Sequence, residues 1–144
     1  MAGRTIRVCP PRDFNFGGLG DSDFQEIIIA ERIDASQFDQ LDLCVRVHED
    51  SLIPENGTIQ VFVLSDGFTT DDPSEDFYSD PLGQGITFTG NSNGAGPLEG
   101  TFELENVTTD LGAMVAVRVK GTQPGTASTN FTARLSIDLA LKTC

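Results

Sequence analysis

The chain has 144 residues, of which 38% are hydrophobic, and its formal net charge is −13. This length predicts a single domain over residues 1–144 that is large enough to bury its own core. The negative charge repels phosphate backbones and anionic membrane surfaces, so we expect neither nucleic-acid nor membrane binding.

The N-terminal segment, residues 1–23, is interpreted as an arm followed by the first strand. RTIRVC predicts that strand, and Pro10-Pro11 predicts a turn after it. No apolar run of about 7–15 residues follows the N-terminal charges, so we expect no signal peptide. The protein is then cytoplasmic when made, and it would reach a virion or an extracellular particle only by lysis or a dedicated route.

The cysteines Cys9, Cys44 and Cys144 are widely spaced, and the chain has no CxxC motif and no His/Cys cluster. A zinc site is therefore not expected, and three free thiols are the favoured prediction. The alternative is a disulfide from Cys144, either to a neighbouring subunit or to Cys9 if the terminal strands lie together.

Apolar residues alternate with polar ones in segment after segment, which is the pattern of half-buried strands. The longest run, FTARLSIDLALK, places Phe131 and five further apolar residues on one face. In chain order the predicted strands are RTIRVC, FQEIIIAERI, LDLCVRVHE, TIQVFVLS, GITFTG, TFELEN, AMVAVRVK and FTARLSIDLALK. Gly- and Pro-rich turns separate them, and no segment has helical periodicity. About eight strands without βα alternation predict an all-β, antiparallel, jelly-roll-like β-sandwich.

TIQVFVLS differs from the other strands because both of its faces are apolar. Ile59, Val61 and Val63 alternate on one face, whereas Phe62 and Leu64 lie on the other. The strand is therefore either central and covered on both faces, or its second face contacts another chain. Under the second alternative Phe62 is an interface residue.

The segment SDGFTTDDPSEDFYSDPLG, residues 65–83, carries six carboxylates and no basic residue, and is predicted to be a loop. Calcium prefers such hard oxygen ligands, which makes Asp71, Asp72, Asp76 and Asp80 the candidate ligands. The EF-hand pattern is absent, so a solvated acidic loop without a cofactor is favoured over calcium binding. The loop also carries Phe68, Phe77 and Tyr78. These aromatic residues either hold the loop on its own sandwich or form an interface, where Phe and Tyr are enriched.

The acidic residues are concentrated in the middle of the sequence. Residues 48–117 contain thirteen acids and no Lys or Arg, whereas nine acids and all nine bases lie outside. In an assembly this half of the subunit must face solvent, bind cations, or contact basic residues of a neighbour. Exposure to solvent is the favoured prediction, because salt screens exposed charges within about 8 Å. The basic candidates for a contact are Arg4, Arg7, Arg12, Arg118 and Lys120.

Catalysis is not expected. His48 is the single histidine, and Cys44 precedes it by four residues on the same strand face. That spacing corresponds to about 13 Å along a strand, too far for a nucleophile and its base. His48 is therefore interpreted as an outward-facing polar residue. Glu103 and Glu105 are predicted to share the outer face of their strand, where exposure explains the pair better than glycoside hydrolysis does.

The succession of strands and turns over residues 33–142 resembles small jelly-roll and galactose-binding-like β-sandwich modules. IDASQFDQLDLCVRVHE, GTIQVFVLSDG and FELENVTTDLGAMVAVRVKGTQPGTASTNFTARLSIDLALK carry the resemblance. It is similar in particular to bacterial and phage-encoded modules that decorate capsids, tails or other assemblies. The resemblance implies a protein that binds surfaces or other copies of itself more often than it catalyses.

We therefore expect a non-enzymatic structural or accessory subunit of a larger assembly, such as a virion decoration or coat component. Its expected partners are copies of itself or other assembly proteins. The alternatives are a carbohydrate- or ligand-binding module, with or without calcium, and a small hydrolase. The absence of Trp counts against the first alternative, and the single histidine counts against the second.

Overall fold

The computed structural model describes residues 3–48, 51–66, 78–90, 102–107 and 114–143, with the backbone alone for 65–66, 78–84 and 102–107. Its eight strands are β1 (Gly3–Asn15), β2 (Phe24–Asp34), β3 (Gln40–Val47), β4 (Thr58–Asp66), β5 (Tyr78–Thr89), β6 (Phe102–Val107), β7 (Met114–Thr122) and β8 (Thr132–Lys142). Among these residues no helix has the length and apolar character needed to cross a membrane.

The strands form two four-stranded antiparallel sheets. The first has the order β1-β8-β3-β6 and the second the order β2-β7-β4-β5. Successive strands therefore alternate between the sheets along much of the chain, which is the arrangement of an eight-stranded jelly roll. The predicted all-β, jelly-roll-like sandwich is confirmed.

The core lies between the two sheets and follows from the alternating sequence pattern. In β8, Leu135, Ile137, Leu139 and Leu141 are fully buried, and the alternate residues of β3 are buried opposite them. Each such side chain contributes about 1.5–3 kcal/mol to folding by leaving water. Phe16 and Phe131 close one part of this core with their rings 5.4 Å apart, edge to face.

Strand β4 is a central strand, paired with β7 on one side and β5 on the other. Ile59, Val61 and Val63 face the core and are fully buried. Leu64 lies on the opposite face of the sheet, directly across from Ala116 of β7, and both are also fully buried. Near residue 64 the second apolar face is thus covered, as the first alternative for this strand predicts.

Two turn predictions are wrong. Pro10 and Pro11 lie inside β1, where register shifts against β8 mark bulges, and the strand continues to Asn15. The predicted loop 65–83 is wrong at both ends, because β4 extends to Asp66 and β5 begins at Tyr78. The prolines in these segments have one explanation: β1 and β5 are edge strands, and an edge strand accepts proline where a ladder hydrogen bond is not needed.

The predicted alternative of a Cys9–Cys144 disulfide is also wrong. The terminal strands do pair, but Gly3 lies opposite Lys142 whereas Cys9 lies opposite Ile137. Cys9 is therefore about 20 Å along the strand from the end that Lys142 faces. Cys9 is a free, buried thiol and Cys44 is free as well, whereas Cys144 lies outside the described residues.

Candidate interaction surfaces

A polar groove of about 320 Å³ lies on the outer face of the first sheet. Three neighbouring strands supply its walls, because alternate residues of β1, β3 and β8 point away from the core. The register brings these residues together by pairing Cys44 and Arg7 with Asp138, and Arg46 with Ser136. The lining residues are Arg7, Cys44, Arg46, His48, Ser136 and Asp138, and we call this site the β1-β8-β3 groove.

One wall of the groove is a bidentate ion pair between Arg7 and Asp138. Nε of Arg7 lies 2.9 Å from Oδ1 of Asp138, and the Arg7 terminal NH2 group lies 3.2 Å from Oδ2. The hydrogen bond to Asp138 raises the pKa of Arg7. Because the pair is partly exposed to solvent, it contributes little to stability, and its main effect is to orient the Arg7 guanidinium.

The opposite wall is built around His48. Its Nε2 lies 2.8 Å from the hydroxyl of Ser136, which is only 4% exposed. The backbone N–H of His48 donates to the Arg134 carbonyl at 2.8 Å. Ser51 ties the same strand ends together, since its hydroxyl donates to the His48 carbonyl and accepts from the Arg134 N–H. One hydrogen bond to Ser136 thus orients the imidazole, while backbone bonds and Ser51 fix the His48 main chain against β8.

The groove has a positive electrostatic character. The pKa of His48 is lowered, first by burial and then by the positive charges of Arg46, Arg134 and Arg7. The imidazole is therefore neutral at pH 7, so one ring nitrogen donates a hydrogen bond and the other accepts one. Among the lining residues two arginines face one carboxylate, Asp138. This charge balance suits a bound anion.

The Ser136–His48 pair has the residue types of a nucleophile and its base, and its surroundings among the described residues are as follows. Ser136 is almost fully buried, and among the described residues no carboxylate is hydrogen-bonded to the His48 ring. Asp138 is engaged by Arg7. Burial, and next the charge of Asp138, raise the pKa of Cys44, which keeps it a thiol and a weak nucleophile.

Sequence reasoning placed His48 and Cys44 on an outer strand face correctly but missed the partners from other strands. Ser136 and Arg7 lie 88 and 41 residues from His48 in sequence, and the strand register that joins them has no local signal. Glu103 and Glu105 lie in β6, which the structure describes by its backbone alone, so the prediction for their side chains stays a prediction.

A second surface lies on the outer face of the other sheet, at its β2 edge. Phe24 and Ile28 are large hydrophobic residues of β2, yet their side chains are 52% and 48% exposed. Their partners on β7 are Thr122 and Arg118, with Glu26 and Lys120 paired between them. We call the group Phe24, Glu26, Ile28, Arg118 and Lys120 the β2 patch.

Charged side chains hold the β2 patch in a fixed arrangement. The carboxylate of Glu26 lies 3.2 Å from Arg118 and 3.9 Å from Lys120. Nζ of Lys120 lies 4.4 Å from the centre of the Phe24 ring, a cation–π contact. The Nε atom of Arg118 is buried and has no hydrogen-bond partner among the described residues. The patch therefore combines an exposed apolar surface with organised positive charge.

Phe62, predicted to be an interface residue, borders the β2 patch and has contacts within its own sheet. Its ring lies 5.1 Å from the Arg118 guanidinium. It also covers Gly85 of β5, where an added Cβ would lie 2.5 Å from a ring carbon of Phe62. These contacts account for a phenylalanine at this position and leave the ring half-buried.

The acidic segment is only partly described. Asp71, Asp72, Asp76, Phe68 and Phe77 lie outside the described residues. Two further candidates, Asp80 and Tyr78, lie in β5 opposite Ser65 and Asp66 of β4, and so belong to a strand and not to a loop. Within the part of the chain that the structure describes, no three His, Cys, Asp or Glu side chains converge as metal ligands.

No protein-family model and no curated protein matches this chain. Among solved structures it is similar to the VP2 subviral particle of infectious bursal disease virus, with a TM-score of 0.59 and 15% identity over 99% of this chain and 32% of the viral chain. T=1 particles derived from the same virus give a TM-score of 0.52 and 15% identity over 99% and 31%. CBM28, a carbohydrate-binding module specific for non-crystalline cellulose, gives 0.49 and 8% over 94% and 76%.

The similarity to the viral particles lies in the fold. The present chain spans about a third of the length of the viral chains it matches. At 15% identity a shared jelly-roll architecture does not carry function with it, because one fold supports many functions. Function must therefore be argued from the surfaces of this chain.

Proposed function

We propose that this protein is a non-enzymatic structural subunit that associates, through the β2 patch, with copies of itself or with other assembly proteins. A virion decoration or coat component is the specific form that we propose. The observation that carries the proposal is the exposure of Phe24 and Ile28 on an edge strand.

Edge strands of monomeric proteins normally avoid exposed apolar side chains. An exposed edge with apolar side chains tends to pair with other chains, and monomers usually protect it with charge, proline or a bulge. In β2, bulges shift the register after Ile28 and again before Ile33, while the first half of the strand keeps its pairing with β7. Aromatic side chains and arginine are enriched at protein interfaces, and the β2 patch and its neighbour Phe62 provide both.

The fold similarity supports this choice without deciding it. The first structures that resemble the chain come from assembled viral particles, and jelly rolls are common in capsid proteins. We further propose that the protein is cytoplasmic when made and is released as part of a particle. No cofactor is needed for this function.

A ligand-binding module is the second candidate, and the β1-β8-β3 groove is the observation that favours it. For a carbohydrate, however, aromatic platforms would be needed for stacking, and the chain has no Trp and a single Tyr. The charged lining of the groove favours an anion over a neutral sugar.

The test is the oligomeric mass, measured by size-exclusion chromatography with light scattering over a range of concentrations. We expect the unmodified protein to form a defined oligomer or particle, and Ile28→Asp to dissociate it. Thr87→Asp is the matched control, because Thr87 is exposed on β5 at the far edge of the same sheet. A strict monomer at all concentrations, or equal loss of assembly in both variants, would contradict the proposal.

A further inference from the structure

We propose that the β1-β8-β3 groove binds carboxylates of the acidic segment, residues 66–80, of a second copy of this chain. The inference rests on the proposed function, since it names a second contact of the same assembly. It also replaces the expectation that the acidic half only faces solvent.

The groove offers donors that match carboxylates. Arg46 is exposed on β3, and among the described residues no ion pair or hydrogen bond holds its guanidinium. Its planar fork of N–H groups can bind both oxygens of one carboxylate. Arg7 lies on the other wall, already oriented by Asp138, with donors left for a second acceptor. His48 adds an imidazole ring beside these guanidiniums, oriented by its hydrogen bond to Ser136.

The size of the groove limits what it can hold. Its volume of about 320 Å³ is at the lower end of the range for small-molecule sites, so it accommodates a few side chains at most. The lining offers two guanidiniums, an imidazole, a thiol, a hydroxyl and the Asp138 carboxylate that Arg7 binds, and among the described residues it has no aromatic or aliphatic wall. Such a lining selects charge over shape, which fits acidic side chains presented by a peptide segment.

The chain itself provides the complementary charge. Residues 66–80 contain six carboxylates and no basic residue, and residues 48–117 contain no Lys or Arg. Because all nine bases lie outside this half, identical copies can place the acidic part of one against the basic part of the next. Such a contact joins two different regions of the chain, so it closes as a reciprocal two-fold dimer or extends to a ring or a larger array.

Two experiments test the groove directly. First, the His48 ring signals are followed by NMR while a synthetic peptide of residues 66–80 is added. We expect the pKa of His48 to rise with bound peptide, since an added negative charge favours the imidazolium. A peptide with all six acids changed to their amides should have no effect. Arg46→Gln should weaken the peptide's binding about tenfold, the loss of one charge-assisted contact.

Second, oligomer mass is compared for Arg46→Gln and a matched control, Arg12→Gln, which removes another exposed arginine from β1. Arg12 is a contact candidate from the sequence alone, but it lies outside the groove, and the groove proposal assigns the contact to Arg7 and Arg46. We expect Arg46→Gln to raise the concentration for assembly about tenfold and Arg12→Gln to leave it unchanged. Circular dichroism verifies that both variants are folded.

The outcomes separate this inference from the proposed function. If the protein assembles but Arg46→Gln behaves as Arg12→Gln and the peptide leaves His48 unchanged, the groove proposal is wrong while the proposed function stands. If the peptide binds in the groove but the protein is a monomer at all concentrations, the proposed function is wrong. If free glutamate at the same carboxylate concentration shifts His48 equally, the groove is a general anion site and the assignment to residues 66–80 is overturned.

Discussion

Nε2 of His48 lies 2.8 Å from the hydroxyl of Ser136, so the single histidine of the chain is hydrogen-bonded to a nearly buried serine of a neighbouring strand. The bond connects the end of β3 to the middle of β8 and defines one wall of the β1-β8-β3 groove. Both the stability of this wall and the charge of the groove therefore depend on the protonation state of His48.

The first prediction concerns the pH dependence of stability. Folding lowers the pKa of His48 below its ordinary value of 6.5, chiefly through burial and the nearby arginines. Below about pH 6.5 the unfolded chain thus binds more protons than the folded one, and stability is lost as the pH falls further. His48→Gln keeps a hydrogen-bonding side chain but does not titrate.

We therefore expect the free energy of unfolding to fall less steeply between about pH 7.5 and 5 in His48→Gln than in the unmodified protein. Urea denaturation at several pH values measures the difference. The pKa of Asp34 is lowered mainly by the Ser36 hydroxyl, so this residue also stabilises the fold less in acid. Its effect is the same in both proteins and cancels in the comparison. Parallel curves of unfolding free energy against pH for the two proteins would show that folding does not lower the pKa of His48.

The second prediction concerns Gln123, a buried polar residue. Its side chain donates to the carbonyls of Phe16 and Ser128, at 2.9 and 2.8 Å, and accepts from the Ser128 N–H. Gln123→Ala removes all three hydrogen bonds, and the Phe16 carbonyl keeps only a bond of 3.3 Å from the Leu19 N–H, so we expect a loss of about 2–4 kcal/mol in unfolding free energy. Gln60→Ala is the control, since its bond to Thr87 is exposed and 3.4 Å long. Equal losses in chemical denaturation would contradict the assignment.

The third prediction concerns Gly85. Its φ of 75° is unfavourable for residues with a Cβ, and that Cβ would collide with the Phe62 ring. We expect Gly85→Ala to cost about 1–3 kcal/mol, measured as a lower unfolding midpoint in urea. Gly125→Ala is the matched control, because a Cβ there meets nothing within 4 Å. A Gly85→Ala protein as stable as Gly125→Ala would refute the predicted strain.

The fourth prediction separates the two faces of β4. Ile59→Asp places an unpaired charge in the core, and we expect it to unfold the subunit. Phe62→Asp removes a half-buried ring beside the β2 patch, and we expect a folded, soluble protein with weaker oligomers. Circular dichroism and light scattering distinguish these outcomes. A soluble Phe62→Asp protein of unchanged oligomer mass would contradict an interface role for Phe62.

The fifth prediction concerns calcium. We expect EDTA to leave the melting temperature and oligomeric state unchanged, because neither a solvated acidic segment nor one bound by arginines needs a metal. The triple variant Asp71→Asn, Asp72→Asn, Asp76→Asn should keep its melting temperature, although the groove proposal predicts weaker assembly for it. A melting temperature that drops with EDTA and recovers with calcium would instead make this segment a metal site.

The sequence predicts the fold well because the jelly roll is encoded in a local signal. Alternation in β3 and β8 directly indicates which residues face the core, and burial confirms it for Leu43, Val45 and Leu139. Strand ends are less well predicted, since Pro10 and Pro81 favour turns locally but are tolerated at the edges of a finished sheet. Whether a strand is an edge strand depends on the pairing of distant segments.

The candidate surfaces are predicted least well. Arg7, His48 and Ser136 meet only because three strands pair in one register, and no spacing in the sequence encodes that meeting. The β2 patch has the same origin, since Phe24 and Ile28 are exposed because β2 lies at a sheet edge. Alternation showed which residues face outward but not which outward residues become neighbours.

The prolines of the edge strands have a consequence for uncontrolled polymerisation. In each sheet one edge strand carries proline, β1 with Pro10 and Pro11 and β5 with Pro81, whereas the other, β6 or β2, carries none. A fibre that grows by sheet extension needs two edges able to accept a new strand, one on each side. Proline lacks the N–H that such growth requires. Strand addition to either sheet would therefore stop at a pair of subunits, which directs any larger assembly through side-chain surfaces instead of amyloid-like stacking.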